Sequence, residues 1–114
     1  MKLIIAVVRP FKLPAIIDAI GSVAGFPGLT VLDSRGFGRE KSVPHTHTVD
    51  EDLHDFADGV VLMVAVPEDA ANRVLATIER LAHTGRSGDG KIFVVPLEDA
   101  VRIATGERLE AALR

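Results

Sequence analysis

The 114 residues include no cysteine, no tryptophan and no tyrosine. Without cysteine there is neither a disulfide framework nor thiolate chemistry, a pattern that suits a reducing cytoplasm. Long apolar runs are missing too. The longest, residues 3–8 and 59–67, fall far short of the roughly 20 residues that span a bilayer. Lys2 is followed by only six apolar residues before Arg9-Pro10, which does not read as a secretory leader. The expectation is a cytoplasmic protein with no direct membrane insertion. Positive charge is not in excess either. The formal net charge is -3, which argues against nucleic acid as a partner. What the chain does have is 47% hydrophobic residues, ample for one packed domain over 1–114.

Residues 3–8, LIIAVV, are short, rich in branched side chains and stopped by Arg9-Pro10, the signature of a buried strand. Leu13, Ile16, Ile17, Ile20 and Val23 then recur at helical spacing, until Gly25 and Pro27-Gly28 break the pattern. Residues 29–35 read as a second, more polar strand closed by Gly36-Phe37-Gly38. From 39 to 58 no period is evident. Unstructured stretches of that length inside a compact domain are usually functional or disordered, so 37–58 is expected to be a long exposed loop. Residues 60–66 form a third strand. A second helix follows, with Ala71, Val74, Leu75, Ile78, Leu81 and Ala82 on its buried face. Asp69 is its expected cap, and His83 is expected to face the dipole at its other end. The glycine loop 85–90, a strand at 92–95 and a tail at 97–114 complete the chain.

The order β-α-β-β-α-β is the ferredoxin-like α+β pattern, an antiparallel sheet with both helices on one face. Its first and third strands should be central, and neither alternates apolar with polar. Ile4, Ala6 and Val8 point one way, and Leu3, Ile5 and Val7 the other. A sheet with one face in water should alternate. The second face is therefore expected to be covered by further copies of the chain, the alternative being that the loop or the tail folds over it.

Residues 84–93 read TGRSGDGKIF. A turn with glycines at 85, 88 and 90 can adopt positive φ at several places and turn successive amides inward as an anion nest. Lys91 adds a point charge suited to phosphate. The spacing is not that of the common P-loop, because Ile92 stands where Ser or Thr should follow the lysine. Gly36-Phe37-Gly38-Arg39 repeats the same logic at the end of the second strand.

PFK at 10–12, GFGR at 36–39, TGRSGDGKIF at 84–93 and VRI-TGE at 101–107 together resemble the PII signal-transduction family, in order and over nearly the whole chain. The resemblance implies a homotrimer of ferredoxin-like subunits that binds adenine nucleotides (ATP, ADP or AMP) in clefts between subunits. It implies a regulator rather than an enzyme, acting through a long loop on a target protein such as a membrane transporter. By the same resemblance Gly36, Gly38 and Arg39 line the base of the cleft, and Gly88, Asp89, Gly90 and Lys91 cradle the phosphates. Thr30 approaches the adenine, and Arg102 reaches in from the neighbouring subunit.

The chain also departs from that family. Ala104 replaces the second arginine of R-x-R-TGE, which should lower affinity for triphosphate relative to diphosphate or monophosphate. Glu40 replaces a glutamine, and Gly59 a lysine, both associated with 2-oxoglutarate, so that sensing is not expected. The uridylylated tyrosine is absent, and Asp52 occupies its region. The loop gains HTHTVDEDLHD instead. Its His45, His47 and His54, with nearby carboxylates, suit a divalent transition metal. A trimeric metal-responsive protein that uses these histidines is one alternative. An acylphosphatase-like enzyme is another, with Arg9 directly after the first strand. Pro10-Phe11-Lys12 supplies no glycine cradle, however, and the single asparagine, Asn72, falls in the second helix.

Overall fold

The computed structural model describes residues 1–37 and 57–114. Strand β1 (Lys2–Val8) ends at Arg9, whose extended backbone is imposed by the proline that follows. A 3₁₀ turn, Pro10–Lys12, runs directly into helix α1 (Leu13–Ile20). Strand β2 (Thr30–Gly36) and strand β3 (Ala57–Val66) follow, then helix α2 (Glu68–Ala82) and strand β4 (Lys91–Pro96). The tail closes on itself through a bridge between Val101 and Arg108 and ends in a 3₁₀ turn, Leu109–Leu113.

The four strands are antiparallel in the order β2-β3-β1-β4. This is the ferredoxin-like arrangement, with β1 and β3 central as the β-α-β-β-α-β order requires. Register settles which side chains share a face. Ile4 lies opposite Val64, Ala6 opposite Leu62 and Val8 opposite Val60. All six are buried, together with Ile16 and Ile20 of α1 and Val74 and Ile78 of α2. Burying each such side chain contributes roughly 1.5–3 kcal/mol, so this layer between sheet and helices holds the domain together.

The opposite face is also apolar. Leu3, Ile5 and Val7 of β1 lie opposite Ala65, Met63 and Val61 of β3, and all six are half-buried. At the edges the same face carries Phe93 and Val95 of β4, 50% and 42% exposed, and Leu32 of β2, 48% exposed.

Three local expectations need correction. Helix α1 stops at Ile20, before Val23. The amides of Ser22 and Val23 turn to carbonyls three residues back rather than four, and Gly21 and Ser22 offer little helix propensity. Val23 still packs on the core, from outside the helix. Ile17, at 43% exposure, is not on the buried stripe. Asp69 is not the cap of α2: the helix starts at Glu68 behind Pro67, and both acids sit in its first turn as favourable charges. Finally, β3 begins at Ala57. Asp58 pairs with Arg35 and Ala57 with Gly36, so residues 57 and 58 belong to the sheet and not to the loop 37–58.

Candidate functional site

The glycine loop lies where β1 ends and β4 begins. Gly90 is fixed by sterics. Its φ is 98°, and a Cβ there would stand 1.7 Å from the carbonyl oxygen of Val7. Only glycine lets the loop enter β4 beside β1. Gly88, at φ 90°, faces the Arg9 guanidinium, with a hypothetical Cβ 3.1 Å from Nη2.

Asp89 organises the rest. One carboxylate oxygen, Oδ2, accepts from the amides of Thr84 at 2.7 Å and Gly85 at 3.0 Å. The other, Oδ1, accepts from the Thr84 hydroxyl and, at 3.1 Å, from Nε of Arg9. The Thr84 hydroxyl side chain and amide, then Arg9, hold the Asp89 carboxyl well below the usual carboxylate range. Arg9 also donates from Nη2 to the carbonyl of Ser87 at 2.6 Å.

The loop amides therefore divide into two sets. Those of Thr84 and Gly85 go to Asp89, and that of Arg86 goes to Thr84 Oγ1 at 3.2 Å. Among the described residues, those of Ser87 and Gly88 have no acceptor, while the turn at 87–88 directs the amide of Asp89 at the Arg86 carbonyl. The amides of Ser87 and Gly88, with Lys91 as the first residue of β4, are the donors left for an anion. The Asp89 carboxylate is turned onto the loop's own donors and braces it.

Beside the loop runs a groove of about 370 Å³, lined among others by Val7, Leu75, Glu79, His83, Gly90 and Lys91. A second hollow of about 490 Å³, between the ends of β2 and β3 and Pro10, is lined by Asp33, Arg35 and Asp58. Two carboxylates against one guanidinium make it a poor place for phosphate. The glycine loop is the better anion site.

The remaining expected site residues are distributed over the chain. Thr30 and Gly36 are the first and last residues of β2, on the sheet edge opposite β4. Three strand spacings, about 14 Å, separate those edges. Arg102 is in the tail, where Nε lies 3.8 Å from Glu107 Oε1 and Nη2 donates to the Arg114 carbonyl. Gly38, Arg39, His45, His47 and His54 lie outside the described residues. Among the described residues no group of three or more His, Asp or Glu side chains converges as a metal site. Asn72 is inside α2 and Arg9 is engaged by the glycine loop, so neither is arranged for acylphosphatase chemistry. Arg9 as a brace is the site feature that sequence reasoning missed. Its only sequence signal is the rigid Arg-Pro junction.

Comparison with known proteins now bears on this arrangement. The family model described as nitrogen regulatory protein P-II matches residues 1–107. Nitrogen regulatory protein P-II of Azospirillum brasilense is 43% identical over 108 residues, covering 95% of this chain and 96% of its own. Nitrogen regulatory protein GlnK of Escherichia coli K12 is 41% identical over 113 residues, covering 99% and 100%. A P-II protein of Bradyrhizobium diazoefficiens is 42% identical over 107 residues, covering 94% and 95%. Fold and matches together define a signal-transduction regulator rather than an enzyme. The chain belongs to the nitrogen regulatory protein P-II family. Among the described residues, no helix is long and apolar enough to cross a membrane.

Proposed function

We propose that this chain is a nucleotide-responsive regulator. It assembles as a homotrimer and binds an adenine nucleotide in each cleft between subunits. The phosphates sit on the amides of Ser87 and Gly88 and on Lys91, and the loop 37–56 engages or releases a target protein, with a transporter as the leading class. The observation that carries the reading is the glycine loop. Two amides, of Ser87 and Gly88, lack an acceptor among the described residues, a lysine stands close by, and a buttress behind them is already closed. Family membership supports the regulatory role. The apolar second face of the sheet supports assembly, since its burial outweighs the cost of association.

Gly36, Gly38, Arg39, Thr30 and Arg102 complete the proposed cleft from the far edge of a neighbouring sheet and from a neighbouring tail. A nucleotide then acts as a switch to the extent that it binds one state of the loop more tightly than the other. Ala104 leaves one cation fewer than the family pattern, which favours ADP or AMP over ATP. Isothermal titration with the three nucleotides tests the reading directly. Saturable binding of at least one, tightest for a nucleotide shorter than the triphosphate, is expected. Absence of heat from all three at millimolar concentration removes it.

A further inference from the structure

We propose that Arg9 is a positioning residue for nucleotide binding, acting through Asp89 and Ser87 rather than by touching the ligand. This rests on the reading of the glycine loop as the phosphate site. Arg9 stands at the junction of β1 with the 3₁₀ turn, eighty residues from Asp89 in sequence. The following proline presets its backbone. Its side chain lies against Gly88, where even a methyl group would come within 3.1 Å of Nη2. The guanidinium fork makes two bonds that differ in kind. Nε donates to the Asp89 carboxylate and Nη2 to the Ser87 carbonyl.

The second bond decides the role. A carbonyl held by a cation fixes the peptide plane between Ser87 and Gly88, and so the direction of the Gly88 amide. The first bond fixes Asp89, which in turn holds the amides of Thr84 and Gly85 away from the anion site. Arg9 thus decides which amides the loop offers. Both donors that Arg9 spends are used inside the protein, and its charge is compensated by Asp89 at 3.1 Å. That leaves Lys91 to supply the cation that meets phosphate. A lysine at position 9 could reach the carboxylate or the carbonyl, but it lacks the planar fork that takes both at once.

The test is a double-variant cycle on the full-length protein, with ADP as the titrant. Arg9→Ala and Asp89→Asn should each weaken ADP binding by about tenfold, the scale of one lost charged hydrogen bond. The double variant should bind no more weakly than the worse single variant, because both act through the same brace. Arg9→Lys should recover part of the loss. Amide exchange at 84–90 in the ligand-free protein should quicken in Arg9→Ala while the core strands keep their protection, a readout that also establishes that the variant is folded. Losses that simply add in the cycle would show that Arg9 does not act through Asp89 and would overturn the shared brace. Unchanged ADP affinity in Arg9→Ala would overturn it too. If the wild-type protein binds no nucleotide, the reading beneath is lost. Unchanged exchange at 84–90 in Arg9→Ala would separately refute the brace.

Discussion

At the scale of single residues, the glycines of this chain are not equivalent, and the structure separates them. Gly90 carries positive φ and sits against the backbone of Val7. Gly90→Ala should cost about 3 kcal/mol or more, through strain and a backbone clash together. A variant at that position reports on folding as much as on binding. Gly36 has open space where a Cβ would go and no positive φ. Gly36→Ala should move stability by no more than about 0.5 kcal/mol. Any loss of nucleotide affinity there is then a property of the cleft. Thermal melts alongside titrations of the two variants check both halves. Asp89 gives a pH prediction of definite sign. Its folded pKa is depressed by Thr84 and Arg9, so its contribution is complete above the unfolded value near 3.9 and is lost as pH falls through the lower folded value. Asp99, lowered by Arg108, and Glu68, lowered by the terminal amine, act in the same direction. Stability should be flat with respect to these groups near neutrality and decline below about pH 4. Asp89→Asn should show a shallower acid limb when melting is followed from pH 7 to pH 2.

At the scale of elements, β1 and β3 show both what sequence patterning reveals and what it hides. The element order marked them as central, and their lack of alternation implied a second apolar face; the sheet order and the register bear this out. Helix α2 was legible because Val74 and Ile78 keep strict spacing over a long run. The end of α1 was not. Val23 continues the i+3 spacing after Ile20 although the backbone has already tightened, and periodicity does not register a change of hydrogen bonding. The bond from Arg9 to Asp89 was beyond reach for another reason: no local pattern links residues eighty apart. The glycine loop lay in plain view, but which of its amides are free did not, because Asp89 claims two of them. Adjacent residues of β3 test the two-faced sheet. Leu62 is fully buried toward the helices and Met63 faces the other way. Leu62→Ala should lower stability by about 2–5 kcal/mol through cavity formation. Met63→Asp should leave that core intact and break assembly by placing a charge in an apolar interface. Light scattering should then move from three times the 12.2 kDa chain mass toward one. A trimer that tolerates Met63→Asp would put the subunit contact on some other surface.

At the scale of the whole molecule, the expected site residues do not meet within one chain. Lys91 opens β4, whereas Thr30 and Gly36 lie on β2 at the opposite edge. Arg102 pairs with its own tail, next to Ile103, which is 99% exposed. An apolar side chain held out in this way, on a tail built around a Val101–Arg108 bridge, suits contact with a second copy. In the proposed homotrimer, a ring of three heterologous contacts would bring one subunit's tail and β2 edge to the next subunit's glycine loop. A site shared in this way has a consequence that a site within one chain lacks. Lys91→Ala and Arg102→Ala should each weaken ADP binding on their own. When the two variants are unfolded, mixed in equal amounts and refolded together, a cleft can draw Lys91 from one parent and Arg102 from the other. Random assembly regenerates an intact pair in about one cleft in four. Titration of the mixture should then show that fraction of tight sites, whereas the same proteins refolded separately and combined afterwards should show none. Failure to recover tight binding in the co-refolded mixture would place both residues' contributions in the same chain.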